Sequence, residues 1–176
     1  MAVAALVAGG CGGGQKLHHP PPAAPDTVRV LSPVVAGGGK LGRAYTCDGA
    51  GARPPIEWRG IPSDAREVAV VVSDPDAPGG TFVHWTVYGI PSSAPGLSPA
   101  GLPAGAKQGQ NSAGSIGWTP ACPPKGDPPH RYDFDVYWLR SPSGLRAGAK
   151  PADVIAAVRR EAGGRGRLEV HYARAG

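Results

Sequence analysis

At 176 residues the chain is long enough for one domain with a substantial core and too short for two of ordinary size. Glycine and proline supply more than a quarter of it, a level that signals disorder when apolar runs are missing. Here they punctuate runs such as residues 68–72 and 82–90, so they read as turns between short strands. The net charge of +5 is modest. The only dense basic group, Arg159, Arg160, Arg165 and Arg167, reads as a solvated helix face. No basic stripe with aromatic or recognition-helix context marks a nucleic-acid reader.

Residues 1–10 are almost all small or apolar, Cys11 follows, and residues 12–25 are rich first in glycine and then in proline. This start resembles the end of a bacterial lipoprotein signal peptide, in which the cysteine becomes the lipidated N-terminus. It departs from that pattern in lacking the positively charged leading region and in placing Ala8 where such signals usually carry leucine. The expected organisation is a truncated signal with its lipidation site over 1–11, a flexible tether over 12–26 and one domain over 27–176. The apolar start is too short to span a bilayer. The membrane is therefore reached through a lipid anchor and the domain is extracytoplasmic; a start that is not a signal leaves it cytoplasmic. His18 and His19 belong to the tether. Setting Cys11 aside leaves Cys47 and Cys122, one disulfide in an oxidising compartment or two buried thiols in the cytosol.

Residues 27–31 alternate as a first strand, and the Gly37-Gly38-Gly39-Lys40 run lacks the spacing of a phosphate loop and reads as a turn. A β-branched strand over 67–73 must stop at Asp74-Pro75-Asp76-Ala77-Pro78, because proline cannot donate to a sheet ladder. The next strand covers 82–90, followed by a loop to about residue 117. In the strand over 132–139, Tyr132, Phe134, Val136 and Trp138 face one way and Asp133, Asp135, Tyr137 and Leu139 the other. A helix over 151–162 starts at a proline, carries Val154, Ile155 and Val158 as its apolar stripe, and ends at Gly163-Gly164. A short last strand covers 168–172. The predicted fold is mainly β: a sandwich of antiparallel sheets with one short C-terminal helix.

Three segments in order carry a resemblance. They are Tyr45-Thr46-Cys47-Asp48-Gly49 with Pro54-Pro55-Ile56-Glu57-Trp58; Asp74-Pro75-Asp76-Ala77-Pro78 with Gly80-Thr81-Phe82-Val83-His84-Trp85; and Cys122-Pro123-Pro124-Lys125-Gly126-Asp127 leading into Pro129-His130-Arg131-Tyr132. Together they resemble the signature segments of the phosphatidylethanolamine-binding protein family in its bacterial and archaeal branch, whose eukaryotic relatives include Raf kinase inhibitor proteins. The resemblance implies a β-sandwich with a small anion-binding pocket at one end, lined by Asp74, Asp76, His84, His130 and Tyr132, with Pro75 shaping the loop that presents the aspartates. It implies no cofactor. One departure is Pro120-Ala121-Cys122 where the family usually reads Gly-Pro-Cys, which alters the rim of that pocket.

The residues suit that role. Imidazole N–H and phenol O–H groups are donors for phosphate oxygens, and an aspartate can fix a histidine's tautomer by accepting its other N–H. Asp74 is therefore expected to orient the histidines. The leading function is binding, without chemistry of its own, of a small anion or phosphorylated headgroup, with an inhibitor or scaffold role toward a protein such as a kinase or protease. One alternative is a metal-dependent hydrolase using Asp74, His84 and His130. A serine hydrolase on Ser112 or Ser115 is weaker, since no nucleophile-elbow pattern surrounds either. The last alternative is an interaction module with a vestigial pocket.

Overall fold

The computed structural model describes residues 20–176; the expected lipidation site Cys11, with His18 and His19, lies outside the described residues. Two antiparallel sheets face each other. The small one runs β1 (Arg29–Leu31), β2 (Ile56–Arg59), β5 (Gly96–Leu97), in that spatial order. The large one is built from β3 (Glu67–Asp74), β4 (Phe82–Ile90), β6 (Lys107–Gln108), β7 (His130–Leu139) and β8 (Ala162–Tyr172), in the order β6-β4-β3-β7-β8. Helix α1 (Pro151–Glu161) covers the outer face of the large sheet. The mainly β sandwich with one late helix is as the sequence predicts.

Why the sheets stack follows from which side chains must leave water. Val30, Ile56 and Trp58 of the small sheet meet Val68, Val70, Val72, Trp85, Phe134, Val136, Leu168 and Val170 of the large one. Each such side chain contributes about 1.5–3 kcal/mol when fully buried. On the other face Val71, Tyr137 and Leu139 pack under Val154, Ile155 and Val158 of α1. β3 lies between the two clusters and is buried at every position, which explains its continuous apolar run in place of alternation.

Three expectations need correction. The last strand starts at Ala162, directly after the helix, and Gly163 and Gly164 are its second and third residues. A Cβ at Gly163 would run into the Trp138 ring, and one at Gly164 into the Thr27 side chain and the same indole. These glycines permit close approach; they do not terminate a helix. The long loop after residue 90 contains β5 and β6, each only a rung or two of pairing. Residues 20–26, expected as the end of a tether, lie on the domain. Pro21 is buried, Tyr137 donates its hydroxyl hydrogen to the Pro22 carbonyl at 2.8 Å, and the Arg165 N–H donates to the Pro25 carbonyl at 2.8 Å.

Candidate functional site

The C-terminal end of β3 and the N-terminal ends of β4 and β7 meet at one end of the large sheet, where Asp74 pairs with Phe82 and Ser73 with Asp133. The β3–β4 ladder is irregular there. Val72 pairs with Trp85 and Ser73 with Val83, which leaves His84 as the extra residue of a bulge. Residues two apart in a regular strand share a face. Here Trp85 enters the core between the sheets while Val83 joins the cluster on the outer face. The bulge thus frees His84 from the ladder and aims it at the sandwich end.

His84 pairs instead with the loop that passes it. Its carbonyl accepts the Thr119 N–H at 2.9 Å, and its Nδ1 lies 2.8 Å from the Thr119 carbonyl oxygen. A carbonyl only accepts, so Nδ1 carries the proton and Nε2 is left with a lone pair. Burial pushes the His84 imidazole below its ordinary value, outweighing the Thr119 hydrogen bond and the Asp74 charge that oppose the shift. Phe82, Tyr132 and Trp118 pack around the ring at centroid distances of 4.7, 5.3 and 6.0 Å.

His130 is held the same way by a different partner. Its Nδ1 is 2.8 Å from Asp74 Oδ2, while Asp74 Oδ1 accepts the Asp76 N–H at 2.8 Å. Both histidine and carboxylate are buried. A carboxylate oxygen accepts, so Nδ1–H is the donor here too, and Asp127 Oδ2 lies 3.6 Å from the other ring nitrogen, Nε2. Asp74, expected to orient both histidines, is hydrogen-bonded to His130 only; His84 is held by the Thr119 carbonyl instead.

These groups border a cleft of about 270 Å³ lined by Asp74, His84 and His130 on the sheet side. Ala77, Pro78, Phe82, Pro120, Pro123 and Pro124 make an apolar rim, with Thr119 and Cys122 completing it. Three expected residues are placed elsewhere. Pro75 sits in the turn between Asp74 and Asp76 and does not border the cleft. Asp76 is exposed and accepts the Arg131 N–H at 2.8 Å, bracing the turn against β7. Tyr132 stands behind His84 with its hydroxyl buried and unpaired, and burial pushes its phenol far up.

Cys47 and Cys122 form a disulfide, their Cα atoms 5.3 Å apart across a separation of 75 residues. The bond ties the rim segment 119–124 to the loop around Cys47, and the Cys47 N–H donates to the Ala121 carbonyl at 3.0 Å. Thr119 was not signalled by any motif, since it acts through its backbone carbonyl. Asn111 supports it from behind: its Nδ2 donates to Thr119 Oγ1 at 2.6 Å. Ser112, considered as a nucleophile, is buried and its hydroxyl oxygen accepts the Val83 N–H at 2.8 Å. Among the described residues no group of three His, Cys, Asp or Glu side chains is arranged to hold a metal ion. Asp74, the carboxylate of the metal-hydrolase alternative, has both oxygens engaged.

Fold and cleft together define a class, a two-sheet sandwich whose large sheet opens at one end onto a small cleft bearing two histidines. Residues 31–173 match the family described as phosphatidylethanolamine-binding protein, and the chain belongs to that family. It is 40% identical over 125 residues to a UPF0098 protein of Methanothermobacter thermautotrophicus, covering 68% of this chain and 82% of that one. It is 37% identical over 145 residues to the Mycobacterium tuberculosis protein named lipoprotein LppC, covering 82% and 72% of the two chains. Among solved structures it resembles Escherichia coli YbcL, with a TM-score of 0.79 and 33% identity over 84% of this chain and 98% of that one. The Chlamydia trachomatis homologue CT736 superposes with a TM-score of 0.77 at 29% identity, over 84% and 97% of the two chains.

Proposed function

We propose that the cleft receives a small oxyanion, phosphate or a phosphate-bearing headgroup, and that the protein acts by binding it. The observation that carries this reading is the pair of buried imidazoles, His84 and His130, each anchored through Nδ1 and each left with Nε2 beside a cavity of about 270 Å³. Side chains locked by partners behind them are pre-organised, so little ordering opposes ligand capture. The cavity suits a headgroup; acyl chains need far more room.

An inhibitor or scaffold role is the natural use of such a module, with ligand occupancy read by a protein that docks over the proline rim. The name of the mycobacterial relative supports an extracytoplasmic lipoprotein anchored through Cys11, as does a disulfide, which persists in oxidising compartments.

Calorimetric titration with phosphate and phosphoethanolamine tests the reading. Saturable binding is expected, and His130→Ala is expected to weaken it by about tenfold or more, the loss of one hydrogen bond to a charged partner. A folded variant with unchanged affinity rejects the site.

A further inference from the structure

At the end of the sandwich opposite the cleft, β7 finishes at Leu139, β3 begins at Glu67 and α1 closes at Glu161. Arg29, Arg59, Arg66, Arg140, Arg159 and Arg160 are all exposed there. Contacts between their neighbours tie them into one surface. The Arg66 N–H donates to the Leu139 carbonyl and the Arg140 N–H to the Glu161 carbonyl, each at 2.9 Å. Thr27 links the small sheet to the same end: its carbonyl lies against Gly60, next to Arg59, and its hydroxyl oxygen accepts Trp138 Nε1–H at 3.0 Å.

The charge of this surface is not balanced within the chain. Arg29 stands directly opposite Arg59 in the β1–β2 ladder, and like charges facing each other destabilise a strand pair. Among the described residues only Arg160 of the six is in an ion pair, with Glu161 at 2.7 Å. Residues 1–19 contain no acid that could supply another. The exposed acids close by are Glu57, on the strand of Arg59, and Asp64, in the turn before Arg66; Asp26 is taken by Arg165 at 3.5 Å. The arginines outnumber Glu57, Asp64 and Glu161 and leave a net positive face. Trp138 lies half-buried in their midst, with the Arg140 guanidinium 5.7 Å from its ring centroid. An aromatic ring flanked by cations suits the boundary between lipid headgroups and water.

The chain enters beside this same end, where the Pro22 carbonyl takes the Tyr137 hydroxyl and the Pro25 carbonyl the Arg165 N–H. From Cys11 to Pro20 it can extend about 30 Å at most, so a lipid on Cys11 would hold the domain close to its bilayer.

We infer that this end is a docking face for an anionic lipid bilayer, against which the domain lies with its cleft pointing away. The inference rests on the lipoprotein reading above. Each arginine near such a surface adds about fivefold in affinity. The ten residues of β7 run from His130 at the cleft to Leu139 at this face, about 30 Å. The oxyanion of the cleft then comes from solvent or from a partner, not from the membrane that holds the protein.

The test takes the full chain as Cys11→Ser, which carries no lipid, and measures co-sedimentation with vesicles of phosphatidylcholine, alone or with phosphatidylglycerol. Phosphatidylglycerol is expected to tighten binding about tenfold or more, and added salt to reverse the gain. Arg59→Gln, Arg66→Gln and Arg159→Gln combined should remove it while leaving the phosphate titration and the unfolding midpoint unchanged. The matched triple Lys40→Gln, Arg43→Gln and Lys125→Gln, on the loops near the cleft end, should retain it. No gain from phosphatidylglycerol, or equal losses in the two triples, overturns the inference. Binding that phosphate abolishes at constant ionic strength also overturns it, because that places the membrane at the cleft. So does tighter binding to duplex DNA than to the anionic vesicles at the same salt. Mass spectrometry of the unsubstituted chain from bacterial membranes tests the lipoprotein reading separately: an unmodified Cys11 overturns that reading, whereas failed vesicle binding overturns this one.

Discussion

The ring of His84 and the carbonyl of Thr119, 35 residues apart in sequence, meet at 2.8 Å. That contact sets the tautomer of a buried imidazole and fixes the loop that carries Pro120 and Cys122 onto the cleft. It depends on the β-bulge, because only a residue released from the β3–β4 ladder can pair both backbone and ring with a passing loop. A local irregularity of the sheet thus positions the site.

Stability should respond to the state of His84. In the unfolded chain its imidazole titrates near the ordinary 6.5, and in the folded protein burial holds it lower. As pH falls below that ordinary value the unfolded chain takes the proton first, so stability declines until the folded value is passed; above the ordinary value this contribution is fully present and constant. Urea unfolding followed between about pH 7 and pH 5 should show this loss, and His84→Gln should flatten that part of the profile. An identical slope in the variant assigns the acid sensitivity elsewhere.

Asp74 carries two hydrogen bonds from a buried position, one to Asp76 N–H and one to His130. Asp74→Ala should cost about 2–4 kcal/mol and release the His130 ring, abolishing its fixed tautomer. Asp74→Asn preserves the shape and should cost less. Chemical denaturation gives the stabilities, and imidazole nitrogen chemical shifts of His130 report the tautomer directly.

The outer edge of the Trp138 six-membered ring lies against Gly163, with its Nε1 donating to Thr27 Oγ1 at 3.0 Å. Gly163→Ala should therefore displace the ring and cost about 1–3 kcal/mol, the usual range for overpacking. Gly101, whose added Cβ would meet nothing within 4 Å, is the control: Gly101→Ala should leave the midpoint nearly unchanged. Equal effects at both positions refute the close-approach account.

The Cys47–Cys122 bond closes a loop with a separation of 75 residues and borders the cleft through Cys122. The double variant Cys47→Ser, Cys122→Ser should lose about 2–4 kcal/mol. With segment 119–124 released, phosphate affinity should drop as well. A destabilised variant that binds phosphate at full strength separates the rim from the ligand.

The sequence by itself determined which face of β7 enters the core, because apolar residues must leave water and their period of two decides which face does so. Tyr132, Phe134 and Val136 fell on the inter-sheet side, and Tyr137 and Leu139 under the helix, as their alternation requires. The family resemblance carried by the motifs also implied Asp74, His84 and His130, all three of which border the cleft. What only the tertiary structure decided are contacts between distant backbone groups, which leave no mark on residue type. Thr119 serves through a carbonyl that any residue owns, and Gly163 reads as a helix stop until Trp138 is seen above it. Asp76 and Tyr132 share the motif of the lining residues. Whether such a residue faces the cleft or braces a turn depends on the bulge and on the path of the loop, and neither follows from spacing along the chain.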